Sequence, residues 1–249
     1  MFRHWWFLRL LGDRETAAPA PRAPRMTKEQ QELVLEEWHT LRERLRGFAE
    51  ERVALVGDVL RAAEPDFPPG AADGPAGADY LWAVEAYQAA GKLLDQDGAD
   101  LPDLAAAVVL AERAVDRLAA AHERLAGRRP TAPPVRCFYN PLHPPAAAAR
   151  PARKQARRRT GPREAAADRR PACESCRRAI LAGERPDVLP ALLEVRRAWH
   201  RTRRLLVPYY AVPQSRSPWS ATACGAYDDG APALVLRGGI RPRRARPGR

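Results

Sequence analysis

The strongest constraint in this 249-residue chain is a set of four metal-type side chains carried by two short stretches. Cys137-Phe138-Tyr139-Asn140-Pro141-Leu142-His143 opens the set, and Cys173-Glu174-Ser175-Cys176 closes it. Tetrahedral zinc takes four nitrogen or sulfur donors, commonly delivered as two close pairs. The two-residue gap of Cys173 and Cys176 suits a knuckle that aims two thiolates at one ion. The gap between Cys137 and His143 is wider than usual, but Asn140-Pro141 inside it can turn the chain and close it. The long insert between the pairs is tolerable, because loop closure costs only about 0.6 kcal/mol per doubling of length. The pattern therefore predicts a zinc site at Cys137, His143, Cys173 and Cys176. Cys224 or His200 are the substitutes for one of these, and unligated thiols or a redox pair are the reading without metal. Four donors fill the tetrahedron and leave no position for water, so the ion is expected to be structural. Cys176 falls near the start of a short helix ending at Gly183, where the helix N-terminus with Arg177 and Arg178 favours its thiolate.

The chain before this unit reads as helices. Residues 1–26 hold an apolar, basic start and an Ala/Pro/Arg-rich stretch of disordered composition. Thr27 with Gln30 forms a capping box. Val34, Trp38, Leu41, Leu45, Phe48, Arg52, Leu55 and Val59 then alternate by four and three, a heptad seam broken once by Arg52. That helix ends before Pro65. Residues 64–78 read as a Pro/Gly linker. A second helix is expected from about Asp79, with Tyr80, Val84, Tyr87, Gly91 and Leu94 in line; Gly91 either permits close helix approach or is merely tolerated. Asp100 caps a third helix with Leu104, Val108, Ala111, Val115, Leu118, His122 and Leu125 in line. His122 reads as a packed or rim residue. Similar seams on three helices predict a coiled-coil-like three-helix bundle over 27–127, with a long helical hairpin as the alternative.

Residues 135–230 form the expected Cys/His unit, interrupted by a long basic loop at 144–171. Asp187 is expected to cap a fourth, amphipathic helix with Val188, Leu192, Val195, Trp199 and Leu206 on one side. Arg197, Arg201 and Arg204 fall on the other. The segment from Val207 to Tyr227 is expected to run extended across the metal unit. Asp228-Asp229 reads as a solvated turn, and residues 231–249 as a basic disordered tail. The fold class predicted is mainly α, with a small zinc-stabilised unit after the helices.

The formal net charge is +12, nearly all of it arginine. Such a charge permits contact with nucleic acid or an anionic membrane surface, but the Arg/Ala/Pro-rich composition equally reflects a coding bias. No stretch approaches the ~18 consecutive apolar residues of a spanning helix. Residues 2–11 have the Trp and Arg content of a peripheral membrane anchor, or are a frayed end. No secretory signal is recognised, so a reducing cytoplasm is expected, where cysteine pairs favour metal over disulfide.

Nucleophile, phosphate-binding and metalloprotease motifs are absent: there is no Gly-x-Ser-x-Gly, Gly-x-Gly-x-x-Gly or His-Glu-x-x-His, and Gly91-Lys92 lacks the upstream glycine of a phosphate loop. The sequence thus favours a non-enzymatic interaction or regulatory protein with a protein partner or self-association through its seams. The alternative is a nucleic-acid binder that uses its arginine loop, helix face and tail, with Tyr209, Tyr210, Trp219 and Tyr227 available for stacking.

The Cys137–His143 run, Cys173-x-x-Cys176, Val207-Pro208-Tyr209-Tyr210, Ser217-Pro218-Trp219 and Gly225-Ala226-Tyr227-Asp228-Asp229 together resemble a family of proteins from Streptomyces-type actinobacteria. The stretch from Ala86-Tyr87 to Leu118, including Leu101-Pro102-Asp103-Leu104, is similar as well. The resemblance covers about residues 27 to 230. It implies a helical protein with a small Cys/His unit, preceded in some members by a membrane segment, and it brings no activity with it.

Overall fold

The computed structural model describes residues 27–67, 74–146, 170–196 and 202–239, and the protein is mostly helical. Three long helices come first: α1 (Lys28–Ala63), α2 (Pro75–Leu94) and α3 (Leu101–Leu125). Local chemistry sets their starts. Thr27 Oγ1 accepts from the Gln30 N–H at 3.3 Å while Gln30 Oε1 accepts from the Thr27 N–H at 3.0 Å, a reciprocal capping box. Asp100 and Asp103 do the same for α3. Pro75 occupies the first turn of α2, where its missing N–H costs nothing. The helix therefore begins before the expected Asp79 and takes in the end of the predicted linker.

The three helices pack on one another, with α3 innermost. Its residues 104–111 are buried all round. The seams differ in detail from their sequence reading. On α1 the buried stripe is Val34, Trp38 and Leu45, then Ala49, Val53, Val56, Leu60 and Ala63. Phe48 and Leu55, expected in the seam, are exposed. A straight helix drifts ~20° per heptad against a 3.5-residue repeat, so the stripe moves off the heptad positions. On α2 the buried face is Ala83, Ala86, Ala89, Ala90 and Leu93, and the larger Tyr80, Val84, Tyr87 and Leu94 form its half-buried rim. Gly91 faces open space, whereas a Cβ on Gly57 of α1 would lie 2.8 Å from Tyr87 Oη. Gly57, not Gly91, permits the close helix approach.

The expected fourth helix is a β-hairpin instead. β1 (Pro190–Arg196) pairs antiparallel with β2 (Thr202–Pro208), with Ala191 opposite Val207, Leu193 opposite Leu205 and Glu194 opposite Arg204. The run Val188-Leu189-Pro190-Ala191-Leu192-Leu193 is nearly continuous in apolar residues, so periodicity cannot separate strand from helix there. Tertiary contacts decide. The Leu192 N–H donates to Asp100 Oδ2 at 2.9 Å, which fastens β1 to the cap of α3. A lone hairpin is marginal in water; here Ala191, Leu193, Leu206 and Val207 are buried in the same core as the helices.

After β2 a 3-10 turn (Tyr209–Ala211) leads to two short helices, labelled α5 (Trp219–Thr222) and α6 (Ala231–Leu236); α4 (Glu174–Leu181) precedes the hairpin. Tyr209, Trp219, Cys224, Ala231 and Val235 are all buried in the helical core. Residues 231–239 are not the disordered tail expected there, because Val235 packs inside and α6 lies on α2. Asp229 is not a simple solvated turn. It pairs with Arg113 and with Arg117, the latter at 2.8 Å, while Arg117 and Arg124 also hold the buried Asp79 at 2.7 and 2.8 Å. The Trp82 ring lies under both Arg113 and Arg117, and its N–H donates to the Asp229 carbonyl at 2.9 Å. His122 sits at the rim as expected, with Nε2 3.1 Å from Asp66 and its ring edge-on to Phe67.

Among the described residues no helix is long and apolar enough to cross a membrane. The expectations for residues 1–26, for most of the loop at 144–171 and for the chain end beyond 239 lie outside the described residues.

Candidate metal centre

Two local turns build the site. In the first, Asn140 Oδ1 accepts from the Leu142 N–H at 3.1 Å and the Asn140 carbonyl accepts from the His143 N–H at 3.0 Å. This turn, anticipated from Asn140-Pro141, folds His143 back onto Cys137. In the second, Cys173 is the N-cap residue of α4 and Cys176 lies in its first turn. The helix N-terminus, with its partial positive charge, is thus directed at the thiol pair. Gly183, at φ 75°, ends α4 through bonds from its own N–H to Ile180 and from the Glu184 N–H to Ala179.

Backbone bonds then clamp the two turns together. The Phe138 N–H donates to the Pro171 carbonyl at 2.7 Å, and the Leu189 N–H donates to the Tyr139 carbonyl at 3.0 Å. The Tyr209 N–H donates to Leu189 at 2.9 Å, and Tyr209 Oη donates to the Phe138 carbonyl. Arg170 covers the ring of Phe138 at 4.4 Å from its centre. The knuckle is thereby tied to the hairpin and the core.

The result brings Cys137, His143, Cys173 and Cys176 into one group whose donor atoms all lie within 4.8 Å of one another. The three cysteines are buried. His143 Nδ1 stands 3.4 Å from both Cys173 Sγ and Cys176 Sγ. Bond lengths of about 2.3 Å to sulfur and about 2.0–2.1 Å to nitrogen give tetrahedral edges of roughly 3.8 Å between sulfurs and roughly 3.5 Å between sulfur and nitrogen. The observed spacing fits donors around a single ion.

The electrostatics also suit a cation. The carboxylate of Asp187 lies 3.2 Å from His143 Nε2. Asp187 first, then Cys137, raise the imidazole to about 10. Cys137 is lowered to about 3, chiefly by the hydrogen bond from the Cys176 thiol and further by His143 and by backbone groups of Cys173 and Asn140. Cys176 is pushed up by that same bond to Cys137 and by burial. The group therefore shares protons around a thiolate, and a divalent ion binds by displacing such protons. Asp187 orients the imidazole with Nδ1 inward, the carboxylate–histidine arrangement seen behind metal ligands. Sequence reading missed this role and took Asp187 for a helix cap. Its 44-residue separation from His143 left no local signal.

The other sequence-predicted residues lie elsewhere. Cys224 is in the helical core, where burial pushes its thiol well up, and it does not join the cluster. His200, Arg197 and Arg201 are outside the described residues. Arg204 is on β2, paired with Glu194 across the hairpin at 3.0 Å. The arginine face expected on one helix does not form, because residues 190–196 and 202–208 are strands. Comparison with family models, with curated proteins and with solved structures returned no match.

Proposed function

We propose that this chain is a non-enzymatic interaction or regulatory protein in which Cys137, His143, Cys173 and Cys176 hold one structural zinc. The observation that supports this reading is the donor set: four ligand atoms lie within 4.8 Å of one another, and four such donors on one zinc would leave no open position. Three thiolates with one imidazole favour zinc over the oxygen-seeking cations. In this reading α1, α2 and α3 are a coiled-coil-like three-helix bundle that serves as the scaffold. The zinc fastens the segment from Cys137 to Leu189, which is poor in apolar residues, onto that scaffold. Binding energy becomes folding energy for that segment. All four cysteines are unpaired, which suits a reducing compartment such as the cytoplasm.

Cobalt substitution tests the closed site. Co2+ added to the reduced, metal-free chain should give tetrahedral ligand-field bands with thiolate charge transfer at one equivalent. Added azide or cyanide should leave that spectrum unchanged. A spectrum that shifts with these anions would reveal an open coordination position and overturn the structural reading in favour of a reactive metal.

A further inference from the structure

The drift of α1 leaves part of its heptad unused. Phe48 is 39 % exposed and Leu55 is 52 % exposed, yet they stand seven residues apart in line with Leu41 and Val34. The intramolecular core is served by Ala49, Val53, Val56 and Leu60. Val34 and Leu41 of that row pack into the core, and with the drift the row turns outward at Phe48 and Leu55, where it presents an apolar face to a second helix. The Arg52 guanidinium stacks 4.9 Å from the centre of the Phe48 ring, and Gly47 beside it has open space where a Cβ would stand.

The charges on this face identify the partner. Arg44, Phe48, Glu51, Arg52, Leu55 and Asp58 fall within about 120° of one another at about 100° per residue. Place a second α1 antiparallel across them, with a two-fold axis between residues 51 and 52. Phe48 then meets Leu55 of the other copy, and Leu55 meets its Phe48. Glu51 meets Arg52 and Arg52 meets Glu51. Arg44 comes opposite the turn holding Asp58, which also pairs with Arg61 at 2.7 Å on its own helix. Each charge near the centre meets its opposite in this self-pairing. A nucleic acid or an anionic membrane would instead meet the carboxylates of Glu51 and Asp58. We infer that the Phe48/Leu55 face of α1 is an isologous interface at which two copies of this chain pair antiparallel. The inference uses α1 alone and does not rest on the metal.

Sedimentation equilibrium on the full chain over a wide concentration range tests it, with far-UV circular dichroism to confirm each variant's fold. Wild type should show a monomer–dimer equilibrium. Phe48→Glu and Leu55→Glu should each weaken it by at least about tenfold, a hot-spot effect of about 1.4 kcal/mol. Leu81→Glu, at a similarly exposed apolar residue on α2, should leave it unchanged. Glu51→Arg and Arg52→Glu should each weaken dimerisation, while the double exchange E51R/R52E restores it, because the swapped charges again meet their opposites. A wild-type chain that stays monomeric, or a dimer indifferent to Leu55→Glu and to the charge exchange, would overturn the inference.

Discussion

Trp219→Phe removes one of the bonds that couple the C-terminal half of the chain to α3. The Trp219 indole is buried, and its N–H donates to Asp103 Oδ1 at 2.7 Å. Asp103 Oδ2 accepts from the Asp100 N–H at 3.0 Å, so one carboxylate joins the helix cap to the indole. Burial raises Asp103, and the indole bond is the largest influence opposing that rise. Losing a hydrogen bond to a charged group costs about 1.5–3 kcal/mol. Exchanging indole for phenyl leaves roughly 40 Å³ unfilled, or about 1 kcal/mol at ~24 cal/mol per Å³. The expected loss is thus about 2.5–4 kcal/mol, a large share of the roughly 5–15 kcal/mol typical of a folded protein. Equilibrium urea unfolding at pH 7, followed by far-UV circular dichroism with zinc present throughout, measures it. A double-mutant cycle with Asp103→Asn should show coupling of about 1 kcal/mol or more. A loss below ~0.5 kcal/mol, the range of an ordinary surface change, would refute the claim that this buried bond contributes substantially to the docking of the C-terminal half.

Gly57→Ala should destabilise by about 1–3 kcal/mol through overpacking against Tyr87, only partly offset by helix propensity, while Gly91→Ala, facing open space, should stabilise by up to about 1 kcal/mol; thermal unfolding of both variants checks the contrast. Asp187→Asn should weaken metal affinity about 10- to 100-fold without unfolding the helices, read by competition with a colorimetric chelator. Asp100 is raised to about 6, first by burial and against the N–H groups of Leu192 and Leu101. Its folded value lies above its unfolded one, so the native state binds the proton more tightly. Its contribution to stability therefore falls as pH rises from about 4 through about 6. The stability of wild type minus that of Asp100→Asn should decline across that window, and a flat difference in pH-resolved urea titrations would contradict the assignment.

What was legible in the sequence was what local chemistry dictates. Thr27 with Gln30, Asp100, the Asn140-Pro141 turn, Gly183 and the Cys173/Cys176 spacing each determine geometry within a few residues, and each appears in the structure as read. The hairpin was not legible, because the partner of the Leu192 N–H is Asp100, 92 residues away. The α2 stripe was misplaced because its buried face is alanine, while the bulkier Tyr80, Val84 and Tyr87 that draw a pattern search stand at the rim. The solvated-turn reading of Asp229 and the tail reading of residues 231–236 fail for the same non-local reason: their partners Arg113, Arg117 and α2 lie more than a hundred residues earlier.

We propose one structural zinc, held by Cys137, His143, Cys173 and Cys176. Metal content by plasma emission on purified protein, beside Cys173→Ala and His143→Ala, tests it most directly. One zinc per chain should be found in wild type and lost in both variants, with faster amide exchange at Phe138, Leu189 and Tyr209, whose N–H groups clamp the knuckle. Wild-type protein without metal, and variants with unchanged exchange at those three amides, would contradict the claim and leave the cysteines as buried thiols in a fold that the helices hold alone.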